Sequence, residues 1–359
     1  MAYTVLNSIA KVAINELKQP SYSPEVAFVR RLKGRVNRVL GRSIRRPSYN
    51  YFWTTAILAD GLLEYYKASR SDEALAALIE YHEVSKKLIG FRKPMYVDEV
   101  MNAHSLIEIH ELGQLDWAGP SLARLARFLV YDHPKTVSGV LPYRSANCNV
   151  VLVDTIGMVC PFLSKYAVGF DYYPAMELAI SQVMEFLEVG LSKESGLPFH
   201  GYSPSGETLG GEGWGRGVGW LLMGISAVLI EMPKDHSSYL SLLSRYNTML
   251  GVVFSKQQSD GSFPEQLIGI KSQSDTSATS MIAYACAKSI ECHTIDRTYL
   301  ESCVKAYSYI KLRMDVEGRI QGASGEALGS NKYAGEFGWY PWGQGPSIGL
   351  GAVLKRLSA

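Results

Sequence analysis

The chain has 359 residues, 47% of them hydrophobic and 19% charged, and a formal net charge of +2. That composition supplies a large core and excludes a general polyanion binder, because there is no basic arm or stripe. The apolar runs are too short or too interrupted to span a membrane. Five cysteines (Cys148, Cys160, Cys286, Cys292, Cys303) lack metal-ligand spacing and read as free thiols.

The first element, "MAYTVLNSIAKVAINELKQP" over residues 1–20, carries the stripe of an amphipathic helix with scattered charges. It lacks the basic start, apolar core and small-residue cleavage site of a secretory leader, so a cytoplasmic protein is expected, with this helix packed on its body. Beyond it a unit recurs. "SGVLPYR" at 138–144, "SGLPFHGY" at 195–202, "DGSFPEQ" at 260–266 and "EGRIQGA" at 317–323 each pair a glycine turn with a few extended residues. Their glycines, 139, 196, 261 and 318, lie 57, 65 and 57 apart. "RPSYNYFW" at 46–53 and "KPMYVDEV" at 93–100 are fainter members of the series. Such a period sets the architecture.

Each unit leads into an apolar helical pattern: "TTAILADGLLEYYKAS", "EVMNAHSLIEIHEL", "VDTIGMVCPFLSKYA", "GWLLMGISAVLIEM", "TSATSMIAYACAKSI" and "GPSIGLGAVLKRL". These are apolar nearly all round and rich in Ala, Gly and Ser, as helices buried on both sides must be. Most are followed by a one-faced helix such as "DEALAALIEYHEVSKKLI" or "SYLSLLSRYNTMLGVVF". Six inner and about six outer helices describe an all-α (α/α)6 barrel, a single domain over 1–359. An open α-solenoid would show the same alternation. The turn segments, however, always precede the inner helix, so their side chains converge on one end of a closed ring.

Chemistry is expected at that end. Asp154, in "NVVLVDTIGMVCPFL", is a carboxylate among apolar neighbours at an inner-helix start. It reads either as an N-cap or as a general acid raised by desolvation. Asp98 occupies the same place one inner helix earlier, with Glu99 as its alternative, and a facing pair would divide acid and base roles. The loop "HGYSPSGETLGGEGWGRGVGW" at 200–220 sets His200, Trp214, Arg216 and Trp220 among glycines that let a ligand approach the backbone. An arginine fork suits a carboxylate, and a tryptophan face suits a pyranose. The glycine spacing fits neither a dinucleotide fingerprint nor a phosphate loop, and no Cys/His cluster suggests a metal. Tyr49, Tyr51, Trp53, Tyr143, Trp339, Tyr340 and Trp342 add aromatic groups at other repeat segments, as a carbohydrate cleft or a core would.

"VDTIGMVCPFLSKY", "LPFHGYSPSG", "GWGRGVGW" and the closing "WYPWGQGPSIGLGAVL" resemble the unsaturated glucuronyl and rhamnogalacturonyl hydrolases of glycoside hydrolase families 88 and 105, the latter more closely. The resemblance runs from about residue 45 to the end. It implies an (α/α)6 barrel without metal or organic cofactor. The substrate would be a small acidic oligosaccharide, the product of a polysaccharide lyase, with a 4,5-unsaturated uronic acid at its non-reducing end. It implies vinyl-ether hydration, with Asp154 as the acid/base and Asp98 as the earlier family aspartate. His200, Arg216 and Trp220 match sugar-contacting positions, as do Tyr51 and Thr54, and Arg144 stands where a basic residue helps select the substrate. Val218 replaces an asparagine usual in family 105, and "HGYSPSG" lacks the Trp-Asp often found after the histidine. The expected protein is a monomer or homodimer engaging neither nucleic acid nor membrane. The alternatives are a sugar epimerase-like enzyme working through two histidines, and a carbohydrate-binding pseudoenzyme on the same fold.

Overall fold

The computed structural model describes residues 2–18, 53–88, 94, 97–269, 272–327, 329, 333 and 335–358. Among them the chain forms twelve α-helices. The even-numbered ones are α2 (Trp53–Ser69), α4 (Asn102–Glu111), α6 (Val153–Gly169), α8 (Gly215–Glu231), α10 (Thr276–Glu291) and α12 (Pro341–Leu357). Each packs on the next, and α12 packs back on α2, so they close a ring of six inner helices. The odd-numbered helices are α1 (Ala2–Lys18), α3 (Asp72–Leu88), α5 (Ala118–Arg127), α7 (Tyr173–Val189), α9 (Tyr239–Phe254) and α11 (Leu300–Lys311), and they form the outer layer. The closed ring decides between barrel and solenoid. The amphipathic first helix is itself the sixth outer helix, packed on α2, α3 and α12.

Small residues in the inner helices let neighbouring backbones touch. A Cβ at Gly61 of α2 would collide with the Gly345 carbonyl of α12, and one at Gly345 with the Ile57 carbonyl. A Cβ at Gly224 of α8 would lie 2.6 Å from the Ile156 carbonyl of α6.

The four repeat glycines share one turn. Gly139, Gly196, Gly261 and Gly318 have φ of 92, 72, 92 and 85°, where only glycine sits without strain. Each donates its N–H to a carbonyl three or four residues back, at Thr136, Ser192, Gln258 and Asp315. Those residues in turn donate to the carbonyl just after the glycine, at Val140, Leu197, Ser262 and Arg319. The turns at 196, 261 and 318 rest on α9, α11 and α1, each the next outer helix around the ring. Buried glutamines secure two of the strands that follow: Gln182 bonds both backbone groups of Leu141, and Gln344 accepts from Ile320 N and donates to the Gly318 and Ile9 carbonyls.

Short strands lead into the inner helices at this end. β1 (Val151–Leu152), β2 (Phe199–Tyr202) and β3 (Thr208–Glu212) make one antiparallel sheet, and β4 (Ala323–Ser324) pairs with β5 (Phe337–Gly338). At the opposite end, charged side chains from all six inner helices close the ring. Glu64 meets Lys67, Lys288 and Arg356, while Lys67 also reaches Glu108, Lys165 reaches Glu111 and Glu231, and Arg356 reaches Glu291.

Candidate active site

β1 pairs with β2 so that Leu152 lies opposite Gly201, and the register is broken between Phe199 and Gly201. His200 occupies that irregularity, the kind of bulge that re-aims a side chain. Asp154 lies two residues beyond Leu152, in the first turn of α6. The two side chains therefore meet, with His200 Nε2 3.4 Å from Asp154 Oδ2 and exposures of 4% and 15%. The N-cap of α6 is Leu152, and no side chain caps the helix, so Asp154 is not held there as a cap. Its Oδ2 is buried without a hydrogen bond, as is His200 Nδ1.

Trp214 precedes α8 and stacks on His200 with centroids 4.5 Å apart. Tyr333 completes this layer, 5.9 Å from His200 and 5.4 Å from Trp214. The Arg216 guanidinium lies 4.8 Å from the Trp214 ring and 5.6 Å from that of Trp342. The faces of Trp214 are therefore taken by protein, while its edge nitrogen Nε1 is buried and unpaired. Burial, then Asp154 and Glu265, push the Tyr333 hydroxyl up to about 12.

Arg216 differs from the expected carboxylate fork. It is 2% exposed. Nη1 donates to the Ser324 carbonyl (2.9 Å) and hydroxyl (2.7 Å), and Nη2 donates to the Gly325 carbonyl (2.8 Å). A buried guanidinium must satisfy its donors from within the protein, and β4 supplies the acceptors. The Ser324 hydroxyl passes the contact on to Asp275 Oδ2 at 2.7 Å, while Asp275 Oδ1 accepts from Ser277 N and caps α10. Burial pulls the guanidinium down, and Asp275, Asp154 and Glu265 oppose it.

Glu265 sits on a segment running antiparallel to the Trp214 loop, with Trp214 bridged to Gln266 and Gly215 N donating to the Glu265 carbonyl at 2.7 Å. Its Oε1 is buried and unpaired. Burial first, and then Asp275, push this carboxyl up, while Arg216 pulls it down.

The remaining expected residues fall into two groups. Trp220 and Trp342 are fully buried and offer no surface to a ligand. Trp53 bridges them, edge-on to Trp220 at 6.0 Å and 4.9 Å from Trp342, and Tyr340 stacks on Trp342 at 4.6 Å. They are the aromatic floor beneath the mouth. Val218 is likewise fully buried, inside α8. Thr54 opens α2 beside Trp53 and keeps a buried, unpaired hydroxyl. Asp98 is buried in the 3-10 turn Val97–Met101, which packs on α6. Arg144 is exposed in a turn bridged to Asn147, and Tyr51 lies outside the described residues.

Glu265, Asp275, Ser324 and Tyr333 were not among the expected site residues. Asp275 was findable, since it stands before an inner helix as Asp154 does, and Glu265 lies inside a quoted repeat. Ser324 and Tyr333 carry no pattern of their own. Among the described residues no group of three or more His, Cys, Asp or Glu is arranged to hold a metal.

A family model described as Glycosyl Hydrolase Family 88 matches residues 31–356. The unsaturated rhamnogalacturonyl hydrolase YesR of Bacillus subtilis (strain 168) is 22% identical over 336 residues, covering 89% of this chain and 95% of the relative. The structure of a possible GH105 member from Salmonella enterica serovar Paratyphi A superposes with a TM-score of 0.84 at 20% identity, covering 99% of this chain and 94% of that one. An unsaturated glucuronyl hydrolase of Bacillus sp. GL1, responsible for glycosaminoglycan degradation, gives a TM-score of 0.69 at 15% identity, covering 99% and 97%. On the extent of the family match, the chain belongs to Glycosyl Hydrolase Family 88 and is a glycoside hydrolase.

Proposed function

We propose that this enzyme releases a 4,5-unsaturated uronic acid from the non-reducing end of lyase-generated oligosaccharides of the rhamnogalacturonan type, with Asp154 as general acid and base. The observation that carries this reading is the Asp154–His200 pair. A carboxyl oxygen and both neighbouring ring nitrogens, Nδ1 and the indole Nε1 of Trp214, sit buried with hydrogen-bonding capacity unspent. Unpaired buried polar atoms are costly, and a ligand that satisfies them recovers that cost.

Asp154 is the carboxyl placed to exchange a proton with the substrate, its Oδ2 3.4 Å from His200 Nε2. Asp154 transfers its proton to C4 of the substrate double bond, leaving positive charge shared between C5 and the ring oxygen. Water adds at C5 and gives its proton to the Asp154 carboxylate, restoring the acid. The hemiketal opens to a C5 ketone, and the C1 hemiacetal so formed expels the attached sugar with its bridging oxygen. Trp214 Nε1–H and His200 Nδ1–H donate to the bound uronate, while Arg216 holds β4 beside it. Asp98, on the turn packed against α6, serves as the second carboxyl.

The test is loss of the double bond's ultraviolet absorbance on lyase-generated oligosaccharides, followed by mass spectrometry in heavy-oxygen water. The released sugar should keep its original bridging oxygen. The opened uronate should carry the label at C5; label delivered instead to its anomeric carbon, or equal turnover of saturated glycosides through ordinary displacement there, would overturn the reading.

A further inference from the structure

A cavity of about 150 Å³ opens at the far end of the ring, and every residue lining it belongs to an inner helix. An aliphatic cavity of about this volume can take up benzene, so a body of roughly six heavy atoms fits. Two of the helices are open only there. In α8 every residue is buried except Met223, Ala227, Ile230 and Glu231, and in α10 every residue except Tyr284, Lys288 and Glu291. All of these but Glu291 line the cavity, and the helical spacing puts each set on one face. Pro161 of α6 and Leu63 of α2 extend the apolar wall.

The polar groups at the cavity fall into two sets. Asp60 and His104 are balanced between themselves. The Met158 carbonyl can only accept, so His104 Nε2 donates to it at 2.9 Å, and the hydrogen bond between Nδ1 and Asp60 Oδ2, at 3.1 Å, requires one further proton. That pair is neutral as a whole. The charged network around it is not. Its ion pairs join the carboxylates of Glu64, Glu108, Glu111, Glu231 and Glu291 to four cations, Lys67, Lys165, Lys288 and Arg356. Glu231 has the weakest of these pairings: Lys165 lies 4.0 Å away and stands closer to Glu111, at 3.4 Å. Burial pushes the Glu231 carboxyl up, Lys165 pulls it down, and Glu108 and Glu111 push it up again.

We propose that this cavity is a binding site for a small primary alkylammonium ion, its head on Glu231 and its alkyl body against Met223, Ala227 and Pro161. A carboxylate accepts from the ammonium N–H groups, and one more cation offsets the surplus of negative charge, whereas an anion meets repulsion. The apolar wall takes the hydrocarbon body, which leaves water on entering. The site does not depend on the function proposed above, and its test reads binding without turnover.

The test is isothermal titration calorimetry of the whole chain, at constant ionic strength, with n-butylammonium chloride, n-butanol and sodium butyrate, which share a short alkyl body and differ in the head. The amine should saturate with a Kd of about 1 mM, n-butanol should bind about tenfold more weakly, and butyrate should not bind. Glu231→Gln keeps the shape and removes the charge, so it should weaken the amine about tenfold and leave n-butanol unchanged. Ala227→Phe fills the cavity and should abolish binding of both. Equal affinity for amine and alcohol, binding of butyrate, or no saturation by the amine would overturn the proposal. Amine binding that survives Ala227→Phe would place it elsewhere and overturn it as well. Should Ala227→Phe not fold, Glu231→Gln decides alone, and an unchanged amine affinity there would refute the site.

Discussion

Asp154 and Arg216 show how differently two buried charged residues can be treated. Asp154 is left with an oxygen unsatisfied and an imidazole 3.4 Å away, whereas the terminal nitrogens of Arg216 are spent on the protein itself. Asp154→Asn keeps the volume and removes the proton. Turnover should fall by roughly a hundred- to ten-thousand-fold with thermal stability little changed, and near-normal turnover would exclude Asp154 as the acid. Arg216→Lys replaces a planar fork by one ammonium, which cannot serve Ser324 and Gly325 together. It should cost about 3 kcal/mol in urea unfolding. It should also lower kcat/KM equally for a uronate and its methyl ester, because β4 loosens. A rise in KM confined to the free acid, with stability intact, would return Arg216 to direct carboxylate binding.

Among the elements, the inner helices depend on glycine for proximity. In an isolated helix Gly61→Ala would gain up to about 1 kcal/mol of propensity. Here the added Cβ meets the Gly345 carbonyl, which belongs to backbone and cannot swing aside. Overpacking of this kind costs about 1–3 kcal/mol, so the clash wins and the melting temperature should fall; a rise would mean that α2 and α12 can part freely. These elements were legible for physical reasons. A left-handed turn demands glycine, so the repeat at 139, 196, 261 and 318 announced itself, and helices buried all round differ in sequence from those with one wet face. The irregularity that aims His200 was not legible, because it arises from how β2 pairs with β1 and β3, and His200 itself carries no sign of it. Nor was the commitment of Arg216 to β4, a contact across 108 residues. Trp220 and Trp342 were expected in contact with sugar, since a buried tryptophan and a stacking platform read alike in sequence.

For the molecule as a whole, the two ends of the ring do different work. At the mouth Asp154, His200, Trp214 and Glu265 keep buried polar atoms unpaired, and the far end joins charged side chains in ion pairs. Glu64 is buried there, and burial alone would raise its carboxyl. Lys67, Lys288 and Arg356 outweigh that and hold it well below the usual carboxylate range. A depressed folded-state value means stability that is complete above the unfolded carboxylate range and lost as pH falls through the folded value. Glu64→Gln should therefore cost about 1.5–3 kcal/mol at neutral pH, because Lys67, Lys288 and Arg356 lose a shared buried carboxylate while keeping Glu108 and Glu291. The gap between wild type and variant in denaturant unfolding should narrow as pH drops below about 4.5. A gap constant with pH would show that the loss is one of packing. Asp60 and Glu231, whose carboxyls burial pushes up, act in the opposite sense and soften the acid limb without removing it.

The first helix occupies the last place in the outer layer, and Gln344 binds the Ile9 carbonyl across 335 positions. A ribosome releases α1 long before it makes α12 or the turn at Gly318 that rests on α1. Of the three helices that α1 packs on, α2 and α3 follow it directly, but α12 comes last of the described helices, so part of the α1 surface waits uncovered until then. Because α1 packs on α12, the ring cannot close until the last inner helix has been translated, and the unfinished arc stays exposed to aggregation in the meantime.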